Sequence, residues 1–263
     1  MPLPPLPLVE KAAGMDIEET SPRMLAKALD LESALEFCAA YRRIAVCRLL
    51  MTGLPDRYFS FLAMSAQAFH FYLRHAREDE KALSRSAPFL DALACGGLAA
   101  ARELVRVSRR TWNADIEYEE DFIYFDVLMG LVSEPPASPR QLERGLARYG
   151  ELAAGQEDFR LGICRALIDR DAEGFDEVLS RQGELKYRQY RKALAAGQLF
   201  PDDAASTELV WIEGLALVWV ARHVGMEVHP GELLMPSPAL SFSRVHPPSP
   251  DAWLHVGSYR ELD

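Results

Sequence analysis

The apolar residues of this chain have the spacing of buried helix faces. Over most of its length they recur every three or four positions, as they do on the buried side of an amphipathic helix. Two long segments show it clearly, residues 22–51 and residues 58–77. Their apolar positions include Leu25, Leu29, Leu35, Ile44 and Leu49 in the first, and Phe59, Leu62, Phe69 and Leu73 in the second. The pattern predicts an all-α protein.

Serine, proline and glycine mark the expected ends of these helices. Ser21 followed by Pro22 is typical of an N-cap and a first helical position, and Ser138 followed by Pro139 repeats the signal. Residues 53–56, Gly-Leu-Pro-Asp, predict a break between the first two helices. Residues 115–132 are expected to form a further helix that ends near Pro135.

The most apolar predicted helix covers residues 207–224. Apolar side chains occupy most of its circumference, which is typical of a helix at the centre of a fold. Its apolar run, residues 209–221, is too short for a membrane span and contains Glu213. A buried carboxylate needs a partner, so we expect Glu213 to form a structural ion pair with an arginine.

Two segments of the chain resemble each other at an offset of 74 residues. Residues 92–105 and 166–179 align without gaps, and each contains a helix end, a short turn and a new helix. They predict a bundle or a solenoid-like array of helical hairpins. The acids Asp169, Asp171 and Glu173 imitate the start of a calcium-binding loop, but Ser180 stands where a bidentate glutamate is required. A helical corner explains them better.

The two ends of the chain are rich in proline. Residues 1–20 form a Pro-rich N-terminal segment without the basic region and continuous apolar core of a secretory signal. Residues 231–263 are expected to form an extended Pro-rich tail that wraps the surface. We predict one domain spanning residues 1–263 and a cytoplasmic location.

Charge and motifs narrow the possible functions. The net charge of -10 disfavours nucleic-acid binding and suits either solubility or a basic protein partner. The four cysteines form no CxxC pair, and the six histidines form no ligand pair with metal-site spacing. No nucleophile elbow or phosphate-binding loop is present in the sequence. We therefore expect no metal, no cofactor and no enzymatic activity.

Residues 112–122, with the sequence WNADIEYEEDF, contain the sharpest local feature. On the predicted helix Glu117, Glu120 and Asp121 would share one face. Such a face is either a solvated helix start that favours the macrodipole or a patch that binds a basic partner. A metal site or general acid is disfavoured because no histidine is nearby. The candidate partner-binding residues are Trp112, Asp115, Glu117, Tyr118, Glu120 and Asp121.

Three stretches together resemble immunity protein family 49, which is found beside polymorphic toxins in bacteria. They are residues 112–122, the hairpin at residues 166–179 (ALIDRDAEGFDEVL) and residues 211–236 (WIEGLALVWVARHVGMEVHPGELLMP). The resemblance implies an inhibitor that binds a cognate toxin, with a basic catalytic domain as the expected partner. Two alternatives remain open, namely a helical scaffold or adaptor that binds a cellular protein or peptide, and a helical enzyme without a recognisable motif.

Overall fold

The computed structural model describes residues 3–240 and 248–255, of which 72% are helical. These two ranges contain no β-strand, which confirms the prediction of an all-α protein. Eleven α-helices follow one another along the described chain: α1 (Leu6–Leu25), α2 (Leu31–Thr52), α3 (Pro55–His75), α4 (Ala87–Ala94), α5 (Leu98–Val107), α6 (Glu119–Val132), α7 (Pro139–Ala153), α8 (Phe159–Asp169), α9 (Ala172–Ala195), α10 (Pro201–Ala205) and α11 (Ile212–His223). Short 3-10 helices cover Glu78–Glu80, Leu83–Arg85, Thr207–Leu209, Ser237–Leu240 and Ala252–Leu254.

The N-terminal region differs from its prediction. Residues 22–51 do not form one helix, because α1 ends at Leu25 and α2 begins at Leu31 after the N-cap Asp30. Helix α1 begins at Leu6, so most of the Pro-rich segment is helical. Prolines in a first helical turn are tolerated because their missing N–H has no partner there in any case. Ser21 and Pro22 lie inside α1, and Ser21 Oγ donates to the Ile17 carbonyl rather than capping a helix.

The two similar segments each form the predicted helical hairpin. Residues 95–97 connect α4 to α5, and Arg170 with Asp171 connects α8 to α9. Gly96 adopts a φ of 71°, a left-handed value that favours glycine. Asp171 caps α9 by accepting a hydrogen bond of 3.0 Å from the Gly174 amide. The acids of this turn therefore belong to a helical corner, as predicted, and Ser138 likewise caps α7.

Helix α11 lies at the centre of the core. It packs against α4, α6 and α9, and eight of its twelve residues are buried. The segment Pro201–His223 is long and apolar enough by composition to cross a membrane, and 72% of its most apolar window is buried inside the protein. Burial on this scale is typical of a core helix, in agreement with the prediction from its apolar circumference.

The described part of the C-terminal tail lies along the helices. Beyond Gly225 the chain has no α-helix within the described residues, and it packs through short 3-10 helices. The Tyr41 hydroxyl donates a hydrogen bond of 2.6 Å to the Trp253 carbonyl, and the Trp253 ring packs against Phe37 and Phe71. These contacts bury Trp253 against α2 and α3. Residues 241–247 and 256–263 of the predicted tail lie outside the described residues.

Candidate partner-binding surface

The predicted site residues lie in and directly after the connection between α5 and α6. This connection, residues 108–118, is called the aromatic loop below. The prediction of a helix over residues 115–132 is wrong at its start, since α6 begins at Glu119. The amides of Ile116 and Glu117 both donate to the Asn113 carbonyl, which forms a separate turn before the helix. Glu117, Glu120 and Asp121 therefore do not share one helical face.

Three large apolar side chains of the aromatic loop are exposed to solvent. Trp112 and Ile116 are each 43% exposed, and Tyr118 is 74% exposed. The indole N–H of Trp112 donates to the Glu117 carbonyl at 3.1 Å, so the ring is held although its surface is open. Exposed aromatic side chains held in place are typical of the anchors of protein–protein interfaces.

Glu117 lies beneath the loop instead of facing the solvent. Its side chain accepts two backbone hydrogen bonds, from Ser84 at 2.8 Å and from Asn113 at 3.1 Å. The residue is 8% exposed. The prediction that Glu117 belongs to a solvated acidic face is therefore wrong, because it joins the aromatic loop to the segment around Ser84.

Further hydrogen bonds fasten the aromatic loop to residues 78–81. The Asn113 side-chain amide donates to the Asp79 carbonyl at 3.2 Å, and the Arg109 guanidinium donates to the Glu78 carbonyl at 3.0 Å. The Lys81 ammonium donates to the carbonyl of Val107, the last residue of α5, at 3.0 Å. Side chains of the loop thus satisfy backbone groups of residues 78–81, and Lys81 holds the helix end from which the loop starts, which gives the loop a fixed shape.

The acidic residues beside the loop differ in how far they are neutralised. Glu119 accepts two hydrogen bonds of 2.8 Å from Arg148, and this pairing lowers the pKa of Glu119 below its ordinary value. Asp121 is paired with Arg160. Asp115 and Glu120 are exposed and form no ion pair within the described residues. Of the predicted acids, these two are free to attract a basic partner.

Behind Asp121, a cluster of polar side chains connects α6, α8, α9 and α11. Glu213 accepts a hydrogen bond of 3.0 Å from the Tyr124 hydroxyl, and its oxygens lie 3.7 Å from Arg160 and 3.8 Å from Lys186. Burial opposes the charge of Arg160, but Glu213 and Asp121 raise its pKa above the ordinary value. The cluster provides the arginine partner expected for Glu213 and fixes the start of α6 beneath the aromatic loop.

The described residues contain no group of His, Cys, Asp and Glu side chains arranged to hold a metal ion. All four cysteines are free thiols, and three of them are buried. Burial raises the pKa of Cys47 and of Cys95 to about 12, which keeps both thiols protonated at neutral pH. The aromatic loop and its two unpaired acids are therefore considered as a binding surface and not as a metal or thiol site.

The sequence singles out residues 112–121 as a candidate site, although not as a loop, and gives no indication of the residues that hold the loop in place. Ser84 and Asp79 contact the loop from more than thirty positions away, and no local pattern marks them as its partners. The residue type at position 113 weakly indicates a turn, since asparagine often begins one. Its burial and its two contacts become visible only in the fold.

The described residues thus combine an all-α fold with an exposed aromatic surface that hydrogen bonds hold in place. Residues 27–238 match the family model described as Immunity protein 49, and the chain belongs to that family. The match contains all three stretches on which the resemblance was based and runs from the turn after α1 to the first part of the tail. Neither the curated proteins nor the solved structures contain a match to this chain.

Proposed function

We propose that this protein is an immunity protein that binds a cognate bacterial toxin and neutralises it by direct contact, in the cytoplasm of the cell that makes it. The observation that carries the proposal is the family match over residues 27–238. It favours a stoichiometric inhibitor over an enzyme. The partner is a toxin domain, and neither nucleic acid nor a membrane is part of the proposed complex.

The aromatic loop is the proposed contact surface. The apolar area of this surface comes from Trp112, Ile116 and Tyr118. These side chains are already exposed in the free protein, so no conformational change is needed before a partner contacts them. Asp115 and Glu120 lie next to this area and provide negative charge that the fold does not neutralise. The combination suits a toxin domain that presents an apolar patch bordered by lysine or arginine.

The overall charge supports the same partner chemistry. With a net charge of -10, the protein attracts a basic domain over distances of about one Debye length, close to 8 Å at physiological salt. Complementary charge mainly accelerates the encounter, and the apolar anchors then hold the complex. An inhibitor that must reach its toxin quickly benefits from both.

The test is co-expression with the toxin encoded by the neighbouring gene. We expect the full chain to restore growth and to elute with the toxin domain as one complex of defined stoichiometry. An unrelated toxin of similar charge serves as the control, because general electrostatic attraction would capture both. Absence of growth rescue and of a complex would overturn the proposed function and favour the helical adaptor that binds a cellular protein or peptide.

A further inference from the structure

Glu117 stands apart from the other acids near the aromatic loop. Glu119 and Asp121 are paired with arginines, and Asp115 and Glu120 are exposed. The Glu117 carboxylate instead receives backbone amides from two segments that are far apart in sequence. A carboxylate can accept on both oxygens at once, and hydrogen bonds to a charged acceptor are among the stronger ones in proteins.

The same residue controls the Trp112 ring through its main chain. The Glu117 carbonyl accepts the indole N–H at 3.1 Å, while the Glu117 carboxylate holds the amide of Asn113, the residue after Trp112. Glu117 therefore accepts one hydrogen bond from the Trp112 side chain and one from the backbone next to it. It accepts a third from the Ser84 amide, which attaches the aromatic loop to the segment around Ser84.

We infer that Glu117 is a positioning residue, which holds the aromatic loop in its toxin-binding shape without contacting the toxin itself. This inference rests on the proposed function. Only 8% of Glu117 is exposed, so it offers a partner almost no surface. A loop that is ordered before binding loses less conformational entropy in the complex, and affinity rises with the population of the binding-competent shape.

The substitution Glu117→Gln tests this with almost no change in shape. The amide keeps one acceptor oxygen, but its NH2 group must face either the Ser84 or the Asn113 N–H, where two donors oppose each other. In the free protein we expect faster hydrogen exchange at the Asn113 or Ser84 amide. Affinity for the neighbouring gene's toxin domain should fall about tenfold, as expected if the ordered loop is populated about one tenth of the time.

A double-mutant cycle with Trp112→Ala separates positioning from general stability. If Glu117 acts through Trp112, the Glu117→Gln effect on affinity should shrink to less than about threefold when the ring is already absent. All affinities are measured under conditions in which circular dichroism shows each variant fully folded. An unchanged affinity for Glu117→Gln, or an equal loss with and without Trp112, would overturn the inference.

Asn113→Ala provides a second route should Glu117→Gln fail to fold. It removes the side-chain donor to the Asp79 carbonyl but leaves the Glu117 carboxylate in place. We expect faster loop exchange and a smaller loss of affinity, about threefold. If the unaltered chain does not bind the toxin, the proposed function fails, but the positioning role of Glu117 can still be tested by hydrogen exchange in the free protein. Equal exchange rates of the loop amides in the unaltered chain and in Glu117→Gln would overturn that role.

Discussion

Asp91 and Glu117 are both buried carboxylates, but they lie in regions of the molecule with different roles. Asp91 is fully buried in α4, where it accepts hydrogen bonds of 2.8 and 2.9 Å from Arg42 on α2 and 2.6 Å from Ser65 on α3. All of its partners are side chains of core helices. Glu117 lies outside the helices, and its partners are backbone amides beneath an exposed surface.

A buried carboxylate thus serves two purposes in this protein. Around Asp91 the ion pair with Arg42 and the hydrogen bond from Ser65 together join three helices, so the loss of Asp91 should affect the whole fold. Around Glu117 the hydrogen bonds fix a loop whose outer side is open to a partner. Substitutions in the first region should change stability more than binding, and those in the second region should change binding more than stability.

The largest effect is expected for Asp91→Ala. It leaves the Arg42 guanidinium without its partner in a largely buried position, and removal of one member of a buried pair typically costs about 3–5 kcal/mol. Urea unfolding followed by circular dichroism measures this loss. Glu143→Ala, at an exposed position, should change the free energy of unfolding by less than about 0.5 kcal/mol. A loss below about 1 kcal/mol for Asp91→Ala would remove the contrast between the regions.

Trp112→Ala should weaken toxin binding more than it lowers the stability of the fold. We expect the affinity for the toxin to fall by about 2 kcal/mol, a factor of about 30, because exposed aromatic anchors often dominate an interface. The free energy of unfolding should fall by less than about 1 kcal/mol, since much of the ring is already in water. Titration calorimetry measures the affinity. Phe200→Ala is the control at an aromatic residue outside the aromatic loop that is 79% exposed, and a loss confined to that control would place the toxin near α10.

The smallest effect is expected for the paired substitution Asp115→Lys with Glu120→Lys. Association should slow by about three- to tenfold and dissociation should change little, because exposed charges act on the encounter. The effect should shrink towards 0.5 M salt, where the screening length is about 4 Å. Glu117 and Asp121 are left out because the first is buried and the second is paired with Arg160.

The control for this pair is Glu143→Lys with Glu227→Lys. Both residues are exposed and lack ion pairs within the described part of the chain, so the overall charge changes by the same amount. Surface plasmon resonance gives both rates. Equal slowing in the two double variants would show that net charge alone steers the toxin, and that the acids beside the aromatic loop have no special part.

Local patterns predicted those parts of the fold that local physics determines. The hairpin turns at residues 95–97 and 170–171 lie where small and polar residues interrupt apolar periodicity. The apolar circumference of α11 predicted its central position. An ion pair at Glu213 could be predicted because a carboxylate without a partner is unfavourable inside an apolar helix. The sequence did not identify Arg160 as that partner.

Errors arose where distant residues decide the structure. The run of acids at residues 117–121 is compatible with a helix, yet α6 starts only at Glu119 because Glu117 is drawn towards Ser84. The Pro-rich segment at residues 1–20 carried no prediction of secondary structure, but α1 begins at Leu6 because prolines in a first helical turn are well tolerated. At residues 117–121 the residue types permitted two structures, and a contact across the fold selected one.

Hydrogen exchange of the full chain, alone and in complex with the toxin domain, tests whether the aromatic loop is the surface that binds the toxin. We predict that residues 111–120 become strongly protected in the complex, while exchange in the core around Asp91 stays the same. Protection that leaves this segment unchanged and appears instead on the charged part of α9, residues 184–192, would contradict the claim.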